Sequence, residues 1–298
     1  MHGTPFTRRS TLRLGGGFAL STTVASCSTT QGTAKEPLPL NQGFEDFTAY
    51  FRIMSDLGGG TTYRYHAGKV LMVPSQRGLA EDFVDFVAIK QDRSRRLPNG
   101  DFHHAYKGVT MFTDMETGEV LETFNNPVTG ETNTVEPFAT SGGSVVYTPD
   151  GPYALRPGAD PTVTPELGMG PTEFDWDVAD DDAWITYPER FAVYDEDGKA
   201  IAADNSMYRY LVSLAQLNDP ALTNVDAVMN WQTETGPWGW MNMPERFTGH
   251  FIFGSMGRKY ASLDQVPDEY VQAAEKRFPD HLSENIDWAD FVIPNSRS

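Results

Sequence analysis

The stretch FHHAYKGVTMFTDMETGEVLETF, Phe102–Phe124, contains two runs of aromatic and β-branched residues on either side of a short polar segment. Apolar and polar residues alternate in these runs, which is the period of a strand with one buried face. Between them, Met115–Gly118 has the polar residues and the glycine of a tight turn. The stretch therefore predicts two antiparallel strands, Phe102–Asp114 and Glu119–Phe124, joined as a hairpin.

The same pattern continues outward along the chain in both directions. It predicts further strands at Thr61–Val73, Glu81–Lys90, Ser144–Thr148, Asp182–Tyr194, Met207–Leu214, Val225–Thr233 and Thr248–Phe253. Asn126–Glu131 and Asp195–Ala200 are predicted turns, and the proline- and glycine-rich Thr148–Gly170 is a predicted covering loop.

Roughly ten strands in hairpin order favour a mainly β fold. The predicted architecture is an antiparallel barrel that is closed or nearly closed, because closure removes exposed edges. A β-sandwich is the alternative.

One C-terminal helix is predicted over VPDEYVQAAEKRF, residues 266–278. Pro267 stands in a first turn together with acidic residues, and Lys276 and Arg277 stand in the last turn, as the helix dipole favours. Its apolar residues form one stripe, which predicts that the helix packs on the outside of the sheet.

The N-terminus has the layout of an export signal. Arg8 and Arg9 precede a short, glycine-rich apolar run that is far shorter than the ~20 residues of a membrane span. The run ends at VASC, where the single cysteine, Cys27, resembles the acylated cysteine of a bacterial lipoprotein. The sequence thus predicts a twin-arginine signal at 1–26, a lipid-anchored tether at 27–43, and a single β-rich domain at 44–298 in the periplasm. A plain export signal cut near Ala25 is the alternative.

The charge of the chain limits its partners. The formal net charge is −18, and loss of the leader, with three arginines and no acid, makes it −21. Such a surface repels nucleic acid and anionic lipid head groups. We therefore expect no nucleic-acid partner, and contact with the membrane only through the N-terminal anchor.

Three segments together resemble a known family. They are the hairpin pair FTDMETGEVLETFNNPVTGETNTV (Phe112–Val135), the tryptophan-rich segment from Trp231 to Met243, and the run from Gly254 to Lys259. They are similar to domain-of-unknown-function family 1838, whose members carry twin-arginine leaders. The resemblance covers nearly all of the chain after the tether. It implies one β-rich domain and no particular activity.

Motifs for metal, nucleotide or nucleophile chemistry are missing from the sequence. No histidine pair has metal-ligand spacing, and adjacent His103 and His104 would point to opposite faces of a strand. Gly58–Gly60 lacks the lysine of a phosphate loop and is predicted to be a turn. There is no nucleophile elbow. We therefore predict neither a metal nor a cofactor.

Polar residues on otherwise apolar strand faces are the candidates for acid–base chemistry. Asp85 alternates with Phe83 and Val87, and Arg209 stands on an apolar face of its strand. Inside a barrel, the carboxylate could serve as a general base and the guanidinium could hold an anionic group of the substrate. The alternative is a structural pair of Asp85 and Arg209, or a strand edge where both groups reach solvent.

Two histidines and an aromatic segment complete the predicted site. His250 is the predicted acid–base residue if its face lines the lumen, and a surface histidine if not. His104 is either pocket lining or satisfied core. The segment GPWGWMNM, 236–243, cannot continue a strand ladder because of Pro237, and we expect it to fold over one end of the barrel. The predicted substrate-binding residues are Arg209, Trp238, Trp240, Met241 and Tyr208.

These residues support two hypotheses about function. The first is an exported enzyme that performs cofactor-independent acid–base chemistry, of the lyase, isomerase, cyclase or hydratase type, on a lipophilic or aromatic small molecule. The second is a lipocalin-like envelope protein that only binds such a molecule. An enzyme requires a coupled set of acid and base groups in the lumen, whereas a carrier requires shape and one polar anchor.

Overall fold

Ten of the twelve strands in the described part of the chain form one antiparallel sheet. The structure is a computed structural model and describes residues 44–75, 78–155, 174–194 and 200–291. The strands are β1 (Thr62–Val73), β2 (Glu81–Arg96), β3 (Phe102–Thr113), β4 (Thr123–Asn125), β5 (Thr132–Thr134), β6 (Phe138–Thr148), β7 (Gly151–Leu155), β8 (Asp175–Ala179), β9 (Asp182–Tyr194), β10 (Ala200–Ser213), β11 (Ala227–Thr235) and β12 (His250–Tyr260), and the helices are α1 (Phe44–Met54), α2 (Leu214–Asn218) and α3 (Asp268–Arg277). The order across the sheet is β7-β6-β3-β2-β1-β12-β11-β10-β9-β8, and β4 and β5 form a separate ribbon. The predicted mainly β, antiparallel fold is confirmed.

The sheet curls strongly around helix α1. Strands β6 and β9 lie near opposite edges, yet the rings of Tyr147 and Tyr187 on these strands are only 6.4 Å apart. Tyr50 of α1 lies between them, with ring centroids 6.4 Å from Tyr147 and 5.4 Å from Tyr187. Within the described residues no ladder joins edge strands β7 and β8, so closure of the sheet into a barrel stays a prediction.

Helix α1 fills the concave side of the sheet, and it was not predicted. Phe47, Tyr50, Phe51 and Met54 recur at the spacing of one helix face, and all four are buried. At the C-terminal end of the helix, Lys259 Nζ donates hydrogen bonds to the carbonyls of Arg52 (2.7 Å) and Ser55 (3.2 Å). The lysine thereby supplies donors to carbonyls that a helix end leaves unpaired and ties α1 to β12.

A β-bulge changes which residues of β2 face the inside. The register between β1 and β2 shifts between Val70 and Leu71, opposite Phe83. As a result, Phe83 and Val84 both join the inner aromatic core, and Asp85 points outward with Val87. The predicted common face of Phe83 and Asp85 is therefore wrong.

Helix α3 covers the outer face of the sheet, as predicted. Val266 and Ala274 pack with Tyr63, Val87 and Met111 of β1, β2 and β3. Because α1 lies on one side of these strands and α3 on the other, both faces of β1 to β3 carry buried side chains.

Several predicted boundaries are confirmed and some segments lie outside the described residues. Strand β9 has the predicted ends, and the turns at 115–118 and 126–131 are present. The predicted covering loop contains strand β7 at its start, and β8 follows beyond it. The rest of that loop, the turn residues 195–199, the leader, the tether and Cys27 lie outside the described residues.

Candidate functional site

A cavity of about 280 Å³ lies on the concave side of the sheet, next to α1. Its aromatic lining consists of Tyr50, Tyr106, Tyr147, Tyr187, Tyr208, Trp231, Trp238 and Phe138, and its polar lining includes Arg64, His66, Lys90, His104, Glu189 and the threonines 110, 140, 233 and 235. This volume is at the small end of the pockets that hold ligands, which run from about 300 Å³ upward. The space suits a molecule of one or two rings.

An ion pair and a histidine lie at the deep end of the cavity. Arg64 donates from Nε and Nη2 to the two carboxylate oxygens of Asp92, both at 2.6 Å. Burial is the largest single influence and raises the pKa of Asp92, but the Arg64 guanidinium and the contact with His104 together outweigh it and hold that pKa well below its ordinary value. The charge of Arg64 is thus matched inside the protein.

His104 extends the ion pair through a neutral imidazole. Its Nε2 lies 3.3 Å from Asp92 Oδ1, and its Nδ1 lies 2.9 Å from Ser94 Oγ. Burial lowers the pKa of His104 more than the Asp92 carboxylate raises it. A neutral ring that donates to Asp92 and accepts from Ser94 satisfies both nitrogens, so His104 has no nitrogen left for a substrate.

His66 lines the cavity with one ring nitrogen engaged. Its Nδ1 lies 2.8 Å from Ser255 Oγ, and no hydrogen bond joins its Nε2 to another described residue. The imidazole packs edge-on against Phe86 and Trp231. Burial and the charge of Lys90 hold the pKa of His66 well below its ordinary value. The ring is therefore neutral at pH 7 and can accept a proton at Nε2.

Lys90 brings a positive charge to the aromatic wall. Its Nζ lies 5.8 Å from the ring centroid of Tyr106 and 6.0 Å from that of Trp231. These distances are within cation–π range, which favours a charged ammonium against the two rings.

Tyr147 and Tyr187 line the side of the cavity where strands β6 and β9 approach each other. Burial is the largest influence and raises the pKa values of Tyr147 and Tyr187, and the charge of Glu189 raises both further. Both hydroxyls therefore stay protonated and act as hydrogen-bond donors or acceptors.

The tryptophan-rich segment covers one end of the cavity. Trp238 lines the cavity and stacks on Phe253, with ring centroids 5.0 Å apart, whereas Trp240 and Met241 are buried in the adjacent core. The Met241 carbonyl accepts hydrogen bonds from Asn126 Nδ2 at 2.6 Å and Asn133 Nδ2 at 3.1 Å. These asparagines belong to the ribbon β4–β5 and its turn, which hold the segment in place.

Three of the predicted site residues lie on the outer face of the sheet. Asp85 pairs with Lys69 at 3.2 Å, Arg209 is exposed, and His250 lies 3.6 Å from Glu234 with 30% of its side chain exposed. The inward placement of Asp85 and Arg209 is wrong, and so is their pairing with each other. The alternatives, in which Asp85 and Arg209 reach solvent and His250 is a surface histidine, agree with these positions.

The other predicted residues divide between cavity and core. His104, Tyr208 and Trp238 line the cavity, and Trp240 and Met241 are core residues next to it. His103 and His104 face opposite sides of β3, as their adjacency predicted, and His103 contacts Ser144 and Trp288 instead.

Sequence reasoning missed His66, Lys90, Trp231 and Glu189 as cavity residues. A usable signal existed in β1, where Arg64 and His66 alternate with Tyr63 and Tyr65, so that two polar residues share one face.

Two further features are absent from the part of the chain that the structure describes. None of their His, Cys, Asp and Glu side chains form a group of three or more that could hold a metal ion. In the same ranges, no helix is both long enough and apolar enough to cross a membrane.

Comparison with known proteins identifies the family. Residues 61–291 match the sequence model of a family described as "Protein of unknown function (DUF1838)". No curated protein matches the chain. Because the family match spans most of the chain, the chain belongs to this family, and the resemblance seen in its hairpins is confirmed. The family description states no activity. Function is therefore inferred from the residues that line the cavity.

Proposed function

We propose that this member of the DUF1838 family binds a small lipophilic or aromatic molecule in the cavity and performs acid–base chemistry on it. The reaction is of the lyase, isomerase, cyclase or hydratase type, and the chemistry uses side chains of the chain itself. The observation that carries this proposal is His66, a neutral imidazole whose Nδ1 is fixed by Ser255 and whose Nε2 is not hydrogen-bonded by any described residue. His66 replaces His250 as the acid–base residue.

The aromatic lining supports the proposed substrate class. Tyr106, Tyr208, Trp231 and Trp238 present large, rigid surfaces that gain from contact with another ring. The hydroxyls and the imidazole supply the few polar groups that orient a ligand in a mostly apolar pocket.

The experiment compares His66→Gln with His250→Gln, a matched control on the outer face. Purified proteins are incubated with a metabolite extract, native mass spectrometry detects bound molecules, and untargeted mass spectrometry follows their conversion. We expect wild type and His250→Gln to convert a bound aromatic compound, and His66→Gln to bind it but convert it roughly 10²-fold more slowly or worse. Equal conversion by His66→Gln contradicts the role of His66, and the absence of any bound small molecule contradicts the binding site.

A binding protein without catalysis is the second candidate. It is favoured by Arg64, Asp92 and His104, whose polar atoms are engaged with one another and with Ser94 instead of facing a substrate. In the same experiment, a carrier binds its ligand and releases it unchanged.

We also propose an exported, envelope-bound location and a closed barrel. Arg8, Arg9 and Cys27 support twin-arginine export to the periplasm and lipid anchoring. The curl that brings Tyr147 near Tyr187 supports closure. Fractionation of producing cells into envelope, periplasm and cytoplasm tests the location, and an experimental structure that includes residues 156–173 tests the closure.

A further inference from the structure

The charged side chains at the cavity sum to zero. Its described lining contains two cations, Arg64 and Lys90, and one anion, Glu189. Arg64 is held by a second anion, the buried Asp92, through two hydrogen bonds of 2.6 Å. The two lining histidines add no charge, because burial lowers the pKa of each ring. An ionic ligand would lose its water without meeting an opposite net charge, so the cavity favours a neutral molecule.

The Nε2 atom of His66 is a polar atom of the lining that a neutral ligand can satisfy. His66 is only 2% exposed, and no hydrogen bond joins its Nε2 to another described residue, whereas its Nδ1 lies 2.8 Å from Ser255 Oγ. Phe86 and Trp231 hold the imidazole edge-on, with ring centroids 6.1 and 5.6 Å away. A buried nitrogen without a hydrogen bond is costly, and a ligand that supplies the bond recovers this cost.

A hydroxyl is the neutral group that fits this nitrogen in either tautomer of the ring. If Nδ1 donates to Ser255 Oγ, Nε2 is an acceptor; if the Ser255 hydroxyl donates to Nδ1, Nε2 carries the proton and is a donor. A hydroxyl donates in the first case and accepts in the second. A carbonyl or an ether can only accept, so it fits only one of the two tautomers.

The shape of the cavity sets the orientation of such a ligand. The lining along β11 begins at Trp231, where His66 packs, and runs through Thr235 to Trp238. The rings of Trp238 and Phe138 are 5.8 Å apart, and Phe138 is 50% exposed, so this end lies next to solvent. At ~3.3 Å per residue, the strand from Trp231 to Thr235 spans about 13 Å. A molecule whose polar end reaches His66 therefore points its other end toward Trp238.

We propose that the cavity takes a phenol of one or two rings, with its hydroxyl innermost and hydrogen-bonded to His66 Nε2. This inference rests on the proposed function and names its substrate class. A hydroxyl bound directly to the ring lies in the ring plane, so one rigid molecule contacts Trp231 with its face and His66 with its hydroxyl. The hydroxyl proton is then the proton of the ligand that lies within reach of the acid–base residue.

Equilibrium dialysis with three probes of similar shape tests the recognition of the hydroxyl. The probes are 2-naphthol, which carries the hydroxyl, 2-methylnaphthalene, which has a methyl group in its place, and 2-naphthoate, which is anionic. We expect wild type to bind 2-naphthol at least tenfold more tightly than either of the other probes. His66→Leu should lose the preference for 2-naphthol over 2-methylnaphthalene and keep its affinity for 2-methylnaphthalene, because leucine preserves the apolar contact but cannot form the hydrogen bond.

His250→Leu is the matched control, since His250 lies on the outer face beside Glu234, and this variant should keep the preference. If His66→Leu does not fold, wild type that carries ¹⁵N-labelled histidine replaces it. The Nε2 resonance of His66 should then shift on saturation with 2-naphthol and stay in place with 2-methylnaphthalene.

Four results overturn the inference: equal binding of 2-naphthol and 2-methylnaphthalene by wild type, tighter binding of 2-naphthoate, a preference that survives His66→Leu, or an Nε2 resonance that 2-naphthol does not shift. If 2-methylnaphthalene binds and Trp231→Ala weakens that binding, the proposed aromatic site stands even when recognition of the hydroxyl fails. If no probe binds, the proposed site fails as well.

Discussion

At the residue scale, the buried ion pair of Arg64 and Asp92 lies at the deep end of the cavity. Their side chains are 5% and 0% exposed, so both charges have lost nearly all contact with water. Such a pair adds little net stability compared with well-packed apolar residues, yet either partner alone is costly. The remaining contacts reduce that cost, because Arg64 also reaches the Tyr210 hydroxyl at 3.4 Å and His104 contacts Asp92.

We predict that Asp92→Asn lowers the free energy of unfolding by about 3–5 kcal/mol, because it leaves the Arg64 charge buried without its partner. Urea denaturation followed by circular dichroism measures the change. The double variant Arg64→Met, Asp92→Leu is the control, and it should cost less than Asp92→Asn alone because it removes both charges. A single variant that is as stable as wild type contradicts the structural role of the pair.

At the element scale, the ribbon β4–β5 and its turn hold the tryptophan-rich segment. Asn126 is nearly inaccessible and serves two elements at once. Its Oδ1 accepts from the amides of Val128 (2.8 Å) and Thr129 (3.2 Å) within the turn, and its Nδ2 donates to the Met241 carbonyl. One side chain thus fixes both the turn and the cover of the cavity.

We predict that Asn126→Ala destabilises the chain by about 1–3 kcal/mol, because buried groups lose their partners. It should also increase the quenching of tryptophan fluorescence by acrylamide, since Trp238 is no longer held against Phe253. Asn133→Ala is the matched control: it removes only the longer bond to the same carbonyl, and its effects should be smaller. Equal effects of the two variants would mean that the turn contacts of Asn126 are unimportant.

The elements show how far sequence patterns reach. Alternation located most of the strands, and the apolar stripe of 266–278 located both α3 and its packing. Alternation could not reveal the bulge at Phe83. One extra residue reverses the faces of β2 without changing the composition of the strand. Helix α1 was missed although Phe47, Tyr50, Phe51 and Met54 have helical spacing, since the segment directly follows the aperiodic tether.

At the scale of the whole molecule, sequence alternation did not show which strand faces point into the cavity. Strands β1 to β3 are covered on both faces, by α1 and by α3, so apolar residues occur on both faces and alternation cannot identify the lumen. Alternation left the face of His250 open and allowed Arg209 to be inside, and both residues lie outside. Pro237 predicted correctly that the segment 236–243 does not continue the ladder, whichever face is inside. Of its predicted substrate-binding residues, Trp238 lines the cavity, whereas Trp240 and Met241 lie in the adjacent core.

The three buried histidines should make the stability of the whole molecule depend on pH. Burial lowers the pKa values of His66, His103 and His104, that of His103 to about 3. Below the ordinary value of 6.5, the unfolded chain binds protons that the native chain does not, so the stability present above pH 6.5 is lost as the pH falls. The net charge of −18 acts in the opposite direction, because protonation of carboxylates relieves repulsion, but this begins only below roughly pH 5.

We therefore predict that the free energy of unfolding falls between pH 7 and pH 5, with a slope of up to about 1.4 kcal/mol per pH unit for each buried histidine. Urea denaturation at closely spaced pH values gives the slope directly. His103→Asn should reduce the slope by up to one histidine's share, because the amide keeps a polar contact with Ser144 but does not titrate. His66 and His104 continue to contribute in that variant. A flat profile between pH 7 and pH 5 would mean that the three rings are not held neutral by burial, and a slope that His103→Asn leaves unchanged would mean the same for His103.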